Sequence, residues 1–187
     1  MDRRRLVMEE PDLTGDTIVL IGLSERHVSE RYAQWLNDKE VCKENSHGRI
    51  TNTLEMTREY VKSVDKSDKI AAFAIITKKE KKHIGNISLG NISLDNNSGD
   101  ISILIGEKGF WGRGIATEAY KLIIDYGFNM LNLHRLYSGM TARNIAMIKV
   151  AKNTGMSQEG VLKDAFFKDG IYADIVQYAI INPKHER

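Results

Sequence analysis

The stretch from Ile101 to Met130 constrains the fold more than any other part of the 187-residue chain. Ile101, Ile103 and Ile105 alternate with Ser102 and Leu104, the period of two expected of a strand with at least one buried face. Gly106 ends that pattern, and Gly109, Gly112 and Gly114 crowd the connection that follows. From Ala116 onward the apolar period changes. Ala119, Leu122, Ile123, Tyr126 and Met130 recur at three and four residues, with Glu118, Lys121 and Asp125 on the opposite face. A strand that feeds a glycine turn and then an amphipathic helix lays that helix on a sheet, so the expected class is α+β.

The turn itself has a chemical reading. Gly112 and Gly114 lack Cβ atoms, so the backbone there can take left-handed dihedrals and let a ligand touch the main chain. A helix entered from such a turn aims unpaired N–H groups and the positive end of its dipole back at the loop, which makes a seat for a pyrophosphate. Arg113 adds positive charge and Thr117 a hydroxyl. A glycine-rich connection with no ligand is the alternative. Two common phosphate-binding patterns do not fit: no Gly-Lys-Ser/Thr ending follows, and the three glycines and acidic ribose partner of a dinucleotide fingerprint cannot be read.

Upstream, the pattern predicts a strand from Thr17 to Ile21 and a helix capped by Ser24, with His27 at its third position and an apolar stripe of Val28, Tyr32, Trp35 and Leu36. Asn37-Asp38 stops that helix. A break follows around Asn45 to Arg49, and Thr53 with Met56 opens another helix that reaches Val64. Strand-like runs at 71–77 and 83–94 flank Lys78-Lys79-Glu80-Lys81-Lys82, which reads as a solvated hairpin tip.

Composition excludes several function classes. An apolar content of 42% suits one globular domain over residues 1–187, with residues 1–14 a flexible or peripheral segment. Twenty-seven basic against twenty-five acidic side chains leave a formal +2, so no global field calls for DNA. Cys42 stands alone and reads as a packed small side chain, and His27, His47, His83, His134 and His185 show no metal-ligand spacing. The basic start Arg3-Arg4-Arg5 precedes no long apolar stretch, so no membrane span is expected and the protein is placed in the cytoplasm. The Asn-x-Ser triplets at Asn86, Asn91 and Asn96 are accordingly not read as glycan sites.

Trp111-Gly112-Arg113-Gly114-Ile115-Ala116-Thr117-Glu118-Ala119 resembles the acetyl-CoA motif of the GCN5-related N-acetyltransferase (GNAT) superfamily, Gln/Arg-x-x-Gly-x-Gly/Ala. Trp111 departs from that motif at its first position, as is usual in the branch of ribosomal-protein N-terminal and nucleotide-amino-sugar acetyltransferases. The likeness continues through Leu133-His134-Arg135-Leu136, Ala142-Arg143-Asn144-Ile145-Ala146, Thr154-Gly155-Met156, and the hairpin of 170–174 and 176–180. Trp35-Leu36-Asn37-Asp38 and His83-Ile84-Gly85-Asn86 carry it upstream, so it covers most of residues 15 to 181.

The resemblance implies a single acyl-CoA N-acyltransferase fold, a mixed, mostly antiparallel, splayed sheet flanked by helices. It implies acetyl-CoA as cofactor, CoA as product and no metal. Ile105, Gly106, Trp111, Gly112, Arg113, Gly114, Ile115, Ala116, Thr117 and Asn144 are the expected cofactor contacts. An N–H near Leu104 to Gly106 is expected to meet the acetyl oxygen, which makes Leu104 a candidate catalytic residue. Asp100 is the candidate base, ahead of Glu44 and His47. His47 and Arg49 are the candidate acceptor contacts.

Where related proteins carry a serine as proton donor, this chain has Met147, whose thioether has no proton to give. The expected reaction is direct acetyl transfer to a primary amine on a small molecule, a nucleotide-linked amino sugar first. A protein N-terminal α-amine and a noncatalytic acyl-CoA-binding module are the alternatives. A homodimer is expected from the family.

Overall fold

The computed structural model describes residues 12–184. Eight strands form one sheet in the order β1-β2-β3-β4-β5-β6-β8-β7. They are β1 (Leu13–Thr14), β2 (Ile18–Gly22), β3 (Ala71–Thr77), β4 (His83–Ser93), β5 (Ser98–Ile105), β6 (Arg135–Thr141), β7 (Ser157–Lys168) and β8 (Ile171–Ile181). Every neighbouring pair is antiparallel except β5 and β6. Four α-helices cover the sheet: α1 (Glu30–Asn37), α2 (Leu54–Asp65), α3 (Ile115–Asp125) and α4 (Ile145–Asn153). This is the mixed, mostly antiparallel, helix-flanked sheet that the resemblance implies. Of the segment 1–14 expected to be peripheral, residues 1–11 lie outside the described residues, and Leu13–Thr14 pair with β2.

Two cores form because β3 is buried on both faces. Its Phe73 and Ile75 join Ile123, Tyr126 and the α4 residues Val150 and Ala151 on one side. Ala72 and Ala74 meet Tyr32, Trp35, Leu36, Val61 and Val64 of α1 and α2 on the other. Small alanines on that second face let two helices approach the sheet closely.

Local chemistry sets the helix starts. Thr53 accepts from the Met56 N–H at 3.2 Å, capping α2 as its sequence predicts. Ser24 and His27 also meet as expected, with the Ser24 N–H donating to His27 Nδ1 at 3.1 Å. They close only a 3₁₀ turn over Glu25–His27, however, since Val28 is extended and Ser29 caps α1 afresh. The single helix expected from Ser24 is therefore broken in two. Glu118, expected on the face opposite the apolar stripe, ties α3 to β2: its carboxylate accepts from the Thr17 N–H at 2.8 Å and the Ile18 N–H at 3.2 Å. The helical period expected to run through Met130 does so, but as a π-helical turn over Tyr126–Met130.

The parallel pair β5/β6 positions the site. Its register holds only for Ser98 with Arg135, Gly99 with Leu136 and Asp100 with Tyr137. Beyond Asp100, β5 runs on to Ile105 against β4, and β6 runs on to Thr141 against β8. The two strands thus part into a fork, the splay that the resemblance implies. The exposed backbone of a fork is a sheet edge, and an edge is a template for an extended chain.

Candidate active site

A cavity of about 1310 Å³ runs from the start of α3, through the fork, to α1 and α2. Its first end is made of main chain. Gly112 (φ +72) and Gly114 (φ +80) are left-handed, and a Cβ built on either would meet no atom within 4 Å, so the space over them is open. Gly114 is the N-cap of α3, and no side chain caps the helix there. The Glu118 N–H is taken by the Gly114 carbonyl at 3.0 Å. The amides ahead of it, at Ile115, Ala116 and Thr117, point out of the helix start, where an anion is favoured by both the N–H groups and the dipole. Gly112, Gly114, Ile115, Ala116 and Thr117 all line the cavity. Open glycines, uncapped amides and a long fork beside them fit the phosphates and extended arm of an acyl-CoA.

The other expected cofactor residues divide. Trp111 lines the cavity, and its Nε1 donates to the Ile105 carbonyl at 2.8 Å, which folds the indole against the end of β5. Arg113 and Gly106 are not among the lining residues. The Arg113 guanidinium lies 5.4 Å over the Phe110 ring. Gly106 is buried against Trp35, whose ring would lie 2.0 Å from an added Cβ. Asn144 lines the cavity while its side-chain oxygen accepts from the Met147 N–H at 3.2 Å, so it caps α4.

Alternation along β5 locates the backbone groups that face the fork. The Gly106 N–H donates to the Ile84 carbonyl at 2.9 Å on the β4 side. The Ile101 carbonyl accepts from Ser138 Oγ and the Ile105 carbonyl from Trp111, both on the other side. By the two-residue period, the Ile103 and Ile105 amides open into the fork and the Leu104 amide turns to β4. The Leu104 side chain packs with the α1/α2 core. Within 104–106, only the Ile105 amide turns toward the fork.

The second end of the cavity is made of side chains. Tyr32 of α1, Thr57 and Tyr60 of α2, and Glu44 and His47 of the intervening loop all face it. Glu44 accepts from Thr141 Oγ1 at 2.5 Å and lies 3.8 Å from Arg143 Nε. Partial desolvation, helped by the nearby Lys168 charge, lowers the His47 pKa and so favours the neutral imidazole. The loop is held from β7: Lys168 Nζ donates to the carbonyls of Cys42 (2.6 Å), Asn45 (3.1 Å) and His47 (2.7 Å). Nothing in the sequence marked Lys168, since its partners are carbonyls more than a hundred residues away.

Two candidates chosen from sequence stand elsewhere. Asp100 is the last paired residue of β5 at the closed end of the fork and is not among the residues lining the cavity. Burial pushes its carboxyl up to about 6, against a hydrogen bond from Asn91. Arg49 donates to the Phe167 carbonyl at 2.7 Å, lies 5.5 Å over the Phe166 ring, and also does not line the cavity.

The joint between the two ends is a buried carboxylate. Glu107, 9% exposed, accepts from Arg31, from Lys82 Nζ at 2.7 Å and from Trp35 Nε1 at 2.9 Å. The Arg31 hydrogen bond, ahead of those from Lys82 and Trp35, lowers its pKa to about 2. It fixes the indole that lies on Gly106, just before the glycine turn.

The acetyltransferase (GNAT) domain family matches residues 17–157. Among curated proteins, the chain is 31% identical over 129 residues to a probable N-acetyltransferase, YjcK, of Bacillus subtilis (strain 168), covering 69% of this chain and 71% of that one. It is 33% identical over 101 residues to the spermidine N(1)-acetyltransferase of Escherichia coli (strain K12), covering 54% of each. Among solved structures, the ribosomal-protein-S5-alanine acetyltransferase from Vibrio fischeri superposes with a TM-score of 0.82 at 21% identity, covering 95% of this chain and 100% of that one. Among the described residues, no group of three or more His, Cys, Asp or Glu side chains could hold a metal ion, and no helix is long and apolar enough to cross a membrane.

Proposed function

Because the chain belongs to the GNAT acetyltransferase family and is an acetyl-CoA-dependent N-acetyltransferase, we propose that its acceptor is the primary amine of a polar, non-polycationic small molecule, with a nucleotide-linked amino sugar as the leading class. The observation that carries this reading is the state of the two carboxylates at the acceptor end. Glu40 is paired with Lys108 at 2.9 Å, and Glu44 faces Arg143. A polycation needs unpaired carboxylates, whereas Tyr32, Tyr60, Asn52 and Lys43 offer ring faces, amides and one cation.

The acyl donor supplies an activated thioester, so the protein's task is positioning and proton handling. The amides at Gly114 to Thr117 hold the two linked phosphates, and the fork edge of β5 lies along the arm. The Ile105 N–H donates to the acetyl oxygen as negative charge develops there. Glu44 and neutral His47 receive the proton that an ammonium acceptor must lose before nitrogen attacks. The Nδ2 hydrogens of Asn144 serve the arm while its oxygen caps α4.

A polyamine acceptor is the second reading, supported by the likeness to a spermidine N(1)-acetyltransferase. CoA release measured in parallel with UDP-linked amino sugars, amino-terminal peptides and spermidine separates the readings. The proposal expects kcat/KM for an amino-sugar nucleotide to exceed the spermidine value by at least about 10-fold, the equivalent of one charge-assisted contact. Preference for spermidine, or for the peptides, would overturn it.

A further inference from the structure

Besides its helices and loop, the acceptor end of the cavity has a floor made by the sheet. Alternation puts Ser102 on the same face of β5 as Leu104, which packs with the α1/α2 core. Ser102 pairs directly with Ser88 of β4, and Ser88 pairs with Ala72 of β3. All three line the cavity. We propose that Ser88 and Ser102 read ring hydroxyls of the acceptor, so that the group carrying the amine is an uncharged, polyhydroxylated six-membered ring. This rests on the amino-sugar reading and deepens it by assigning the residues that recognise the sugar.

The two serine hydroxyls have no task within the protein. β5 stands fifth in the order of eight strands, yet Ser102 is exposed there, and Ser88 is half-buried. Neither hydroxyl has a hydrogen-bond partner among the described residues. Strands favour β-branched and aromatic side chains, and a serine hydroxyl commonly bonds to nearby backbone. Ala72 makes the same space in the same row without a hydroxyl, so room for a ligand does not account for two serines. Directly paired residues have Cβ atoms about 5 Å apart. The two hydroxyls therefore bracket one ligand oxygen, one donating to it and the other accepting from it, or take two adjacent oxygens.

The roof is complementary. Tyr32 of α1 and Tyr60 of α2 line the same end of the cavity. The Tyr60 side chain is 45% exposed, and neither phenol has a hydrogen-bond partner among the described residues. The negative face of each ring attracts the C–H groups of a sugar, and the hydroxyls offer further bonds to its oxygens. The next row of the floor, Ala74, Asn86 and Leu104, brings no ionisable group. Floor and roof thus suit a neutral ring with oxygen substituents. The methylene chain of a polyamine would leave these hydroxyls unpaired.

Reach agrees with the placement. Ser102 stands three residues before the Ile105 amide, about 10 Å along the strand. An amine at the acetyl carbon held by that amide, a six-membered ring beyond it and one hydrogen bond of about 2.8 Å cover that span.

The test measures kcat/KM, by CoA release, for UDP-linked amino sugars bearing the amine at C2 or C4 and for counterparts lacking one ring hydroxyl at a time. It is run on the wild-type protein, Ser88→Ala and Ser102→Ala. Loss of the hydroxyl that is read should lower the wild-type value about 10-fold, the worth of one well-made hydrogen bond. The same loss should cost less than about twofold in the serine variant that reads it, because the two deletions remove one interaction. Tm and the CoA dissociation constant should match wild type in both variants, since alanine fills the same space and strands no polar partner. If every deoxy sugar lost as much in both variants as in the wild type, or lost nothing in the wild type, the serine assignment would be overturned and the amino-sugar reading would stand. Preference of the wild-type protein for spermidine or for amino-terminal peptides would instead overturn the reading on which the assignment rests.

Discussion

At the α3 end of the cavity a ligand meets main chain, whereas at the α1–α2 end it meets side chains drawn from two helices, a loop and the end of β6. The first end needs only two left-handed glycines and an uncapped helix start. The second needs Glu44 held by Thr141, and a loop whose carbonyls are gathered by Lys168. The difference teaches where each property resides. A backbone seat binds whatever carries the right phosphates and changes little with side-chain substitution, so acceptor choice falls to the side-chain end.

Replacing Gly114 by Trp should be the most damaging change to the backbone end. An indole in the open space over the turn, at a φ of +80, should raise the CoA dissociation constant at least about 100-fold, or about 2.7 kcal/mol. Calorimetric titration reads it; an affinity within threefold of wild type would place the phosphates elsewhere.

At the side-chain end, Glu44→Gln should lower kcat by about 10-fold to 100-fold, in keeping with a proton acceptor that shares its task with His47. CoA affinity should be unchanged, because Glu44 lies beyond the fork. A variant that lost CoA affinity and kept kcat would reverse the assignment of the two ends.

The joint between them predicts a stability effect. Glu107→Gln should cost about 2 kcal/mol, after allowance for the exposure of Arg31 and Lys82, and lower Tm by about 4 to 8 °C. The Glu107 pKa is depressed to about 2, so its contribution is complete above about pH 4.5 and is lost as pH falls toward 2. Thermal melts at pH 7 and pH 3 should therefore show the gap between variant and wild type closing in acid.

Asp100→Asn should have the smallest effect on turnover, within about twofold, because Asp100 does not line the cavity. Its pKa is raised to about 6, so the stability it contributes is present below about pH 4 and lost as pH rises through 6. The variant should melt higher than wild type at pH 7.5. A large loss of kcat would return Asp100 to the role of base.

The legible parts of this molecule are those fixed by neighbours in sequence. The β5 alternation, the glycine turn and the Thr53 cap each depend on a few consecutive residues, and each is found where it was expected. The apolar stripe hides the break before α1 because a second cap, Ser29, lies inside it. Asp100 follows from the resemblance and Arg49 from its polar loop, whereas the fork and the β7–β8 hairpin decide where the two residues stand.

The seat at the start of α3 is tested most directly by amide chemical-shift mapping during a CoA titration. The largest shifts should fall on the backbone N–H groups from Arg113 to Thr117, with Ile103 and Ile105 next along the fork. Shifts concentrated elsewhere, with those amides unmoved at saturating CoA, would contradict the account.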